Sequence, residues 1–553
     1  MKIALIQSNP VTGALRRNMD WLMSAARQAA NMGADLCIAP EMALCGRNIG
    51  DFLLRSGFAA QCRSVLDSAA AELWRTKDMP PLLLGAPVAN TVPEGKNLQN
   101  CAVLLHEGRV RVVGRKVLLP SEGVDEDTRY FEPGVGCGAL YIKGRRIAVT
   151  VGEDIWKAQT FWQERRNIDG NPVAAFIAAG GADAIVNISA LAYAQGRPAL
   201  YERTLCRLAA HYRVPVAVAN LSGGNDALVY YGGSMASSAN GVLLARAAMF
   251  AEELLLLDLD GREKGPIALG LDSMEEIWQA IVLGTRDFVR KCGFSRVVLG
   301  LSGGVDSSLV AAIAAEAFGP EQVTGLIMPS PYSSEGSVTD ALALAHSLGI
   351  EAHILPIDDI LAACERSFAA SFSNGLKGLA EENTQARIRC DLLMAYANRF
   401  GALLLATGNK SEAAVGYATL YGDLAGAIAP IGDLYKHQVY ALCRWRNMLR
   451  PGSLPEAVLS KEPSAELAPG QKDSDSLPPY DLLDAMLFHI IEGGENLAQL
   501  IDRGYDEELA RSIVRMVEKA EFKRRQAPFA LQLSTRAFGG GLRIPIAVAD
   551  SQC

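Results

Sequence analysis

The stretch that decides the fold is "RVVLGLSGGVDSSLVAAIAAEAFG", residues 296–319. Val297 to Leu301 are apolar and predict a buried strand, Ser302 to Gly304 predict a tight turn, and an Ala/Leu/Ile-rich helix follows from Asp306. Glycines let backbone N–H groups close around an anion, and the following helix adds the positive end of its dipole. The pattern therefore predicts a phosphate-binding turn. It lacks the Gly-Lys-Ser/Thr ending of a kinase-type P-loop and the G-x-G-x-x-G of a dinucleotide fold.

The chain around this turn is too long for a single hydrophobic core, since it has 553 residues. Short β-branched runs alternate with helical patterns throughout, which predicts the α/β class. A polar stretch rich in Gly and Pro separates two such halves. We therefore predict a first domain over residues 1–262, a linker over 263–274 and a second domain over 275–553. Within the second domain, a Pro/Ser-rich segment at about 450–480 is long enough to be a lid.

Composition excludes several classes of protein. A formal net charge of −8 gives no reason to expect a nucleic-acid or membrane partner. The 11 cysteines include no CxxC pair, and so indicate reduced thiols in a cytoplasmic protein rather than a disulfide framework. The N-terminal "MKIALIQSNPVTGAL" predicts a first strand rather than a signal peptide, and no apolar run approaches the length of a membrane span.

The "SGGVDSS" string resembles the ATP pyrophosphatases, which bind the pyrophosphate of ATP on such a turn and transfer AMP to a carboxylate or a similar oxygen. Three longer strings narrow the resemblance to the NAD synthetases: "LLLATGNKSEAAVGYATLYGDLAGAIAP", "KEPSAELAPGQKDSDSLPPYD" and "EFKRRQAPFALQLSTRAFG". Together the similar segments cover nearly all of residues 275–545. The implied fold is a Rossmann-like ATP-pyrophosphatase domain of the adenine nucleotide alpha hydrolase type. The implied reaction is amidation of deamido-NAD by ATP, Mg²⁺ and ammonia.

The same resemblance implies roles for individual residues. Asp306 and Glu412 would hold Mg²⁺, and Lys436 would stabilise charge on the phosphates, so these three are the implied catalytic residues. Asn383, Arg387, Glu412 and Lys523 would meet deamido-NAD. The implied ATP-binding residues are Gly300, Leu301, Ser302, Gly303, Gly304, Val305, Asp306, Ser307, Ser308, Thr407 and Ser464.

The first half of the chain resembles the nitrilase-like amidase domain of the glutamine-dependent NAD synthetases, an α/β sandwich that releases ammonia from glutamine. "CIAPEMALCGRNIGDFL" places Glu41 at the family's catalytic glutamate, and "VVGRKVLLPSEGVDEDTRYFEPG" places Lys116 at its lysine. "AVTVGEDIW" matches the string in which the family has its nucleophilic cysteine. Here that position is Gly152. Because glycine carries no nucleophile, we expect this domain to be an inactive glutaminase.

Two explanations for Gly152 remain open, an engineered replacement of the cysteine and a natural loss of glutaminase activity. Other positions around the expected glutamine pocket also depart from the family pattern, namely Glu122, where an aromatic is usual, and Leu191, at a usual serine. Several departures favour natural loss. We therefore expect an NAD synthetase that uses ammonia and assembles into a homo-oligomer, as the resemblance implies. The alternatives are a glutamine-hydrolysing enzyme with an engineered cysteine replacement, a scaffold of two degenerate enzyme folds, and a different amidating ligase.

Overall fold

A computed structural model describes residues 1–92, 94–120, 126–158, 171–373 and 375–547. Glu122, one of the two departures in the expected glutamine pocket, lies outside the described residues. The chain divides into two compact units, Met1–Ser273 and Met274–Cys553. Strands and helices alternate in both, so the predicted α/β class is confirmed.

Two mixed sheets form the first unit, with strand orders β14-β1-β2-β3-β4-β5 and β13-β12-β9-β8-β7-β6, and β10 and β11 form a separate hairpin. Its strands are β1 (Lys2–Gln7), β2 (Leu36–Ile38), β3 (Leu82–Ala89), β4 (Leu98–His106), β5 (Arg109–Arg115), β6 (Gly138–Ile142), β7 (Arg145–Val151), β8 (Ala184–Ser189), β9 (Val216–Asn220), β10 (Ser222–Asn225), β11 (Leu228–Tyr231), β12 (Met235–Ser237), β13 (Leu243–Arg246) and β14 (Glu253–Asp258).

The core of the first unit lies between these sheets, where Ile3 and Leu83 of one sheet share a buried cluster with Ile147 and Val186 of the other. Helices cover both outer faces, because the strands are apolar on both sides. The helices are α1 (Leu15–Asn31), α2 (Phe58–Arg75), α3 (Asp127–Tyr130), α4 (Pro172–Ala178) and α5 (Arg197–Tyr212). The layers are therefore helix, sheet, sheet, helix.

A parallel sheet of strand order β17-β16-β15-β18 organises the second unit. Its strands are β15 (Arg296–Gly300), β16 (Val323–Ile327), β17 (Glu351–Ile354) and β18 (Ala402–Leu404). Val297 pairs with Val323 on one side and with Leu403 on the other, so the carboxyl ends of three strands reach the same edge. That edge is where α/β sheets bind ligands.

Helices pack on the sheet and form a further helical cluster at the C-terminal end of the unit. They are α6 (Ser273–Lys291), α7 (Val305–Phe318), α8 (Glu335–Leu348), α9 (Asp358–Ala369), α10 (Leu379–Phe400), α11 (Lys410–Val415), α12 (Lys436–Leu449), α13 (Glu456–Ser460), α14 (Tyr480–Ile491), α15 (Leu497–Asp502), α16 (Glu507–Lys519) and α17 (Glu521–Arg524). Helix α7 begins one residue before the predicted Asp306. No helix among the described residues is long and apolar enough to cross a membrane.

Candidate functional site

A cavity of about 320 Å³ opens at the carboxyl ends of β15, β16 and β18. The chain runs from β15 to β16 and β17 on one side and then crosses to β18 on the other, so the cavity lies where the strand order reverses. The volume is within the range of small-molecule pockets. The segment 458–473, inside the predicted lid, contributes part of the wall.

The turn between β15 and α7 is tight, and glycine is required at one of its positions. Gly303 has φ +76, and an added Cβ would lie 2.4 Å from the carbonyl oxygen of Ser337, so only glycine fits. The Oγ atoms of Ser302 and Ser307 are 3.0 Å apart, and the N–H of Gly304 donates to Ser302 Oγ at 3.2 Å. These bonds hold the turn against the N-terminus of α7, where backbone N–H groups favour phosphate.

Most of the residues predicted to bind ATP line this cavity. They are Gly300, Leu301, Ser302, Gly304, Val305, Asp306, Ser307, Thr407 and Ser464. The two others, Gly303 and Ser308, shape the turn instead. Ser308 is fully buried and its hydroxyl donates to the carbonyl oxygen of Gly304 at 2.8 Å.

The three predicted catalytic side chains come together at three helix N-termini. Asp306 lies in the first turn of α7, Glu412 in that of α11, and Lys436 opens α12. The Nζ atom of Lys436 is 2.5 Å from Asp306 Oδ2 and 3.2 Å from Glu412 Oε1. Asn409 caps α11 and also donates from Nδ2 to Asp306 Oδ1 at 3.0 Å. Residues up to 130 positions apart in the chain thus form one charged centre.

Burial shifts the protonation equilibria of this centre. It raises the pKa of Glu412 above its ordinary value; Lys436 opposes this rise and the Asp306 carboxylate adds to it. Burial alone would lower the pKa of Lys436, but Asp306 and Glu412 more than offset that effect and raise it. Lys436 therefore stays protonated at neutral pH and can place a positive charge beside a bound phosphate.

The Asp306 and Glu412 carboxylates suit magnesium as a partial ligand set. Mg²⁺ is commonly held by one or two carboxylates, with substrate phosphates and water completing the octahedron. Among the described residues, no group of three or more His, Cys, Asp or Glu side chains could hold a metal by itself. Two carboxylates in the same cavity as the predicted phosphate-binding turn fit a metal that shares its ligands with a nucleotide.

Three of the four residues predicted to meet deamido-NAD, Asn383, Arg387 and Lys523, bond to one loop, residues 416–420. The fourth, Glu412, lies in the charged centre with Lys436. Thr419 Oγ1 donates to Asn383 Oδ1 at 2.7 Å, and Arg387 Nε donates to the carbonyl oxygen of Leu420 at 3.2 Å. Lys523 Nζ donates to the carbonyl oxygens of Gly416 and Ala418, both at 2.8 Å. The loop lies beside the cavity, because Thr419 is part of the cavity wall.

The sequence analysis did not identify three further residues that line the cavity: Arg389, Asp423 and Glu466. Burial lowers the pKa of Arg389 to about 10, and its Nε donates to the carbonyl oxygen of Met328 at 3.0 Å. Burial raises the pKa of Asp423. The only hint in the sequence was proximity to predicted site residues: Arg389 is two residues after Arg387, and Glu466 is two residues after Ser464.

Glu466 fastens the predicted lid to helix α8. Its Oε1 atom accepts from Ser337 Oγ at 2.6 Å and from Ser334 Oγ at 3.0 Å, and lies 3.2 Å from Lys461 Nζ. Gln385 Nε2 donates to the carbonyl oxygen of Leu467 at 2.9 Å. The segment is therefore held against the cavity by hydrogen bonds to two different helices.

The first unit brings Glu41, Lys116 and Gly152 together. Gly152 follows the last residue of β7 with φ +55, and an added Cβ would lie 2.8 Å from Lys116 Nζ and 2.9 Å from Glu41 Oε2. Lys116 Nζ is itself 2.9 Å from Glu41 Oε1. The ammonium thus occupies space next to the position where a nucleophilic side chain would begin.

Two carboxylates that the sequence did not single out also hold Lys116. Its Nζ is 2.8 Å from Asp127 Oδ2 and 2.6 Å from Glu153 Oε2. Burial alone would lower the pKa of Lys116, yet Asp127, Glu153 and Glu41 raise it well above the ordinary value. Arg47 completes the network at 2.5 Å from Asp127 Oδ1. Three carboxylates and two cations thus form one ion-pair cluster around Lys116.

The described cysteines of the first unit are poor nucleophiles, because burial keeps their thiols protonated. Burial raises the pKa of Cys137, which directly precedes β6, to about 12, and it raises the pKa of every other cysteine of the unit. These thiols therefore carry almost no thiolate at neutral pH. Leu191 lies among the apolar residues packed beside β8 and β9, and its N–H donates to Asn220 Oδ1 at 2.9 Å.

Comparisons with known proteins match both units. The carbon-nitrogen hydrolase family matches residues 2–265, and the NAD synthase family matches residues 277–527. A glutamine-dependent NAD(+) synthetase of Synechocystis sp. is 44% identical over 558 residues, covering 99% of this chain and 98% of that protein. One of Thermotoga maritima is 38% identical over 583 residues, with coverages of 99% and 98%. The structure of a glutamine-dependent NAD+ synthetase from Acinetobacter baumannii in complex with ADP superposes with a TM-score of 0.76 at 34% identity, covering 99% of this chain and 98% of that one.

Proposed function

Since the chain belongs to the glutamine-dependent NAD synthetase family, we propose that it amidates deamido-NAD to NAD with ATP, and that it takes free ammonia rather than glutamine as the nitrogen source. The observation that carries the second half of this proposal is Gly152, which stands beside Glu41 and Lys116 without a nucleophilic atom. Hydrolysis of glutamine by this type of amidase needs a thiolate to attack the amide carbon.

The synthetase reaction proceeds in two steps. A carboxylate oxygen of the nicotinate ring attacks the α-phosphorus of ATP, the bond to the β-phosphate oxygen breaks, and pyrophosphate leaves. Ammonia then attacks the carboxyl carbon of the resulting acyl-adenylate, AMP leaves with the bonding electron pair, and the proton lost by nitrogen passes to solvent. Adenylation is required because an ionised carboxylate is a poor electrophile.

In the second unit, the charged groups that would stabilise the transition state are already in position in the free enzyme. The turn at Ser302 and Gly304 binds the pyrophosphate, while Lys436 stabilises the negative charge that grows on the leaving phosphates. Asp306 and Glu412 would hold Mg²⁺, which supplies further neutralisation of the phosphates when bound. Asp306 and Glu412 also keep the Lys436 ammonium protonated in the free enzyme, as the rise in the pKa of Lys436 indicates.

The remaining cavity residues support binding and protection of the intermediate. Asn383, Arg387 and Lys523 orient the loop that meets deamido-NAD. The Ser464 segment closes over the adenylate, and this exclusion of water matters because water would hydrolyse the mixed anhydride.

A second candidate function is favoured by the intact contact between Glu41 and Lys116. If only the nucleophile has been replaced, the first unit is a glutaminase that one substitution would restore. Leu191 argues against this reading, since it places an apolar side chain where the family has a serine. We therefore propose that the glutamine pocket has decayed and that the unit is retained for assembly, with a homo-oligomer as the expected state. Light scattering after size exclusion measures that state.

The test is NAD formation from deamido-NAD, ATP and Mg²⁺, with either ammonium or glutamine supplied, in the wild type and in Gly152→Cys. We expect product with ammonium in both proteins and none with glutamine in either. Glutamine use gained by Gly152→Cys supports the second candidate. Robust turnover with glutamine by the wild type refutes the loss of glutaminase, and the absence of turnover with either source refutes the synthetase assignment.

A different ligase or a scaffold is separated from these enzymes by the partial reaction. Exchange of labelled pyrophosphate into ATP that requires deamido-NAD is expected here, because adenylation is reversible. A scaffold of degenerate folds gives no exchange. Exchange with another carboxylate, but not with deamido-NAD, indicates a different amidating ligase.

A further inference from the structure

The buried carboxylate of Asp484, on helix α14, lies outside the cavity wall but is bonded to the segment that carries Lys436. It is 1% exposed and accepts three hydrogen bonds. Ser411 Oγ donates to it at 2.5 Å, and the backbone N–H and the Nδ1 atom of His437 lie 2.9 Å from it. A buried carboxylate that accepts three hydrogen bonds restricts the positions of the groups that donate them.

Two of these donors, the backbone N–H and Nδ1 of His437, belong to the first turn of helix α12, which begins at Lys436. The Oγ atom of Ser411 accepts the backbone N–H of Lys436 at 2.9 Å, while Asp484 accepts the backbone N–H of His437. The first N–H groups of a helix have no partner within it, so this pair caps α12, and the negative charge suits the positive end of the helix dipole. Ser411 also directly precedes Glu412, so one carboxylate fixes the N-termini of α11 and α12.

Helix α14 supports the Lys436 side chain as well as its backbone. Tyr480 precedes Asp484 by four residues and therefore lies on the same face of the helix. The Nζ atom of Lys436 is 5.2 Å from the centre of the Tyr480 ring, and the Tyr480 hydroxyl donates to Asp473 Oδ2 at 2.8 Å. Cation–π attraction at this distance favours a single placement of the ammonium.

We propose that Asp484, acting through Ser411, is a positioning residue for Lys436: it holds the start of α12 so that the ammonium meets the phosphates in the transition state. The inference rests on the proposed function, because it takes Lys436 as the residue that stabilises phosphate charge. A displacement of about 1 Å at a catalytic group can lower a rate about a hundredfold, so this small network has a measurable effect.

The test compares Ser411→Ala and Asp484→Asn with Asp481→Asn, an exposed Asp-to-Asn change one turn earlier on the same helix. Ammonium-dependent NAD formation is measured at varied ATP and varied deamido-NAD. We expect kcat to fall about 10- to 100-fold in Ser411→Ala and Asp484→Asn, with both KM values changed by less than about threefold. Asp481→Asn is expected to match the wild type. A parallel rise in KM, or an unchanged kcat in Ser411→Ala, overturns the proposal.

A double-mutant cycle separates positioning from a purely structural role. If Asp484 and Ser411 act through Lys436, then Ser411→Ala causes no further loss of kcat in a Lys436→Met background. A further loss of about tenfold in that background contradicts the proposal. Should Asp484→Asn fail to fold, the Ser411→Ala cycle decides, since it removes a single oxygen. Inactivity of the wild type and of Asp481→Asn would instead refute the proposed function itself.

Discussion

Replacing Gly152 by alanine should destabilise the end of β7, and the loss should exceed the cost of placing alanine at a positive φ. Two terms add at this position. A left-handed φ disfavours any residue with a Cβ by about 1–2 kcal/mol. The added Cβ would also lie 2.8 Å from Lys116 Nζ and 3.0 Å from its Cε, so the lysine must move by roughly half an ångström within a filled network. Overpacking of this kind costs about 1–3 kcal/mol, which gives a total of about 2–5 kcal/mol.

Gly144 provides a matched control in the same unit. It has φ +77 in the turn between β6 and β7, and a Cβ there would have no atom within 4 Å. Gly144→Ala should therefore show only the backbone term. The difference between the two variants, about 1–3 kcal/mol, isolates the collision with Lys116 and the Glu41 carboxylate beside it.

Hydrogen exchange followed by mass spectrometry is the assay, because it reports local opening of β7 and β8 without unfolding the whole chain. In the regime where exchange tracks the opening equilibrium, we expect these amides to exchange roughly 5- to 150-fold faster in Gly152→Ala than in Gly144→Ala. Equal rates would refute the reasoning, since they would mean that Lys116 does not occupy the space beside the nucleophile position.

Three other predictions concern charge. Lys436→Met should lower ammonium-dependent kcat about 10²- to 10³-fold, measured by steady-state NAD formation, and a loss smaller than about tenfold would contradict its role on the phosphates. Glu466→Gln should weaken the hydrogen bond between the lid and Ser337 and increase the rate of limited proteolysis in residues 456–480 about tenfold. The control variant Glu462→Gln changes an exposed glutamate of the same segment and should leave this rate unchanged. Equal rates in both variants would show that the Glu466 contact does not hold the lid. Burial raises the pKa of Asp154 from 3.8 to about 7. The folded state therefore binds this proton more tightly than the unfolded state does. The contribution of Asp154 to the free energy of unfolding consequently falls as pH rises from about 4 to 7. Asp154→Asn should therefore show a smaller loss of unfolding free energy between pH 5 and 7.5 than the wild type, and parallel curves in denaturant titrations would contradict this.

Local features of the chain were predictable from sequence where a single segment contains the whole signal. The strand, turn and helix of residues 296–319 depend on neighbours in the chain, and the glycine at position 303 is required by its own positive φ. The family strings placed Glu41, Lys116 and Gly152 one by one, and the structure brings the three within van der Waals reach of one another.

Contacts between distant segments were not predictable, because no local pattern shows which partner approaches. Nothing in the local sequence indicates that Asp127 or Glu153 is a partner of Lys116, yet both lie within 3 Å of its Nζ atom. Glu466 lies in the Pro/Ser-rich segment predicted to be a lid, but only the structure shows that its carboxylate accepts a hydrogen bond from Ser337. The roles of Asn383, Arg387, Lys523 and the magnesium ligands stay predictions.

The measurement that tests the central claim most directly is a nitrogen-label competition. The wild type is given deamido-NAD, ATP, Mg²⁺, unlabelled ammonium and an equal concentration of glutamine labelled with ¹⁵N in its amide, and the NAD formed is analysed by mass spectrometry. Our account predicts NAD whose amide nitrogen comes only from ammonium. ¹⁵N-labelled NAD, together with an equal amount of glutamate, would show that the first unit hydrolyses glutamine despite Gly152 and would contradict the account.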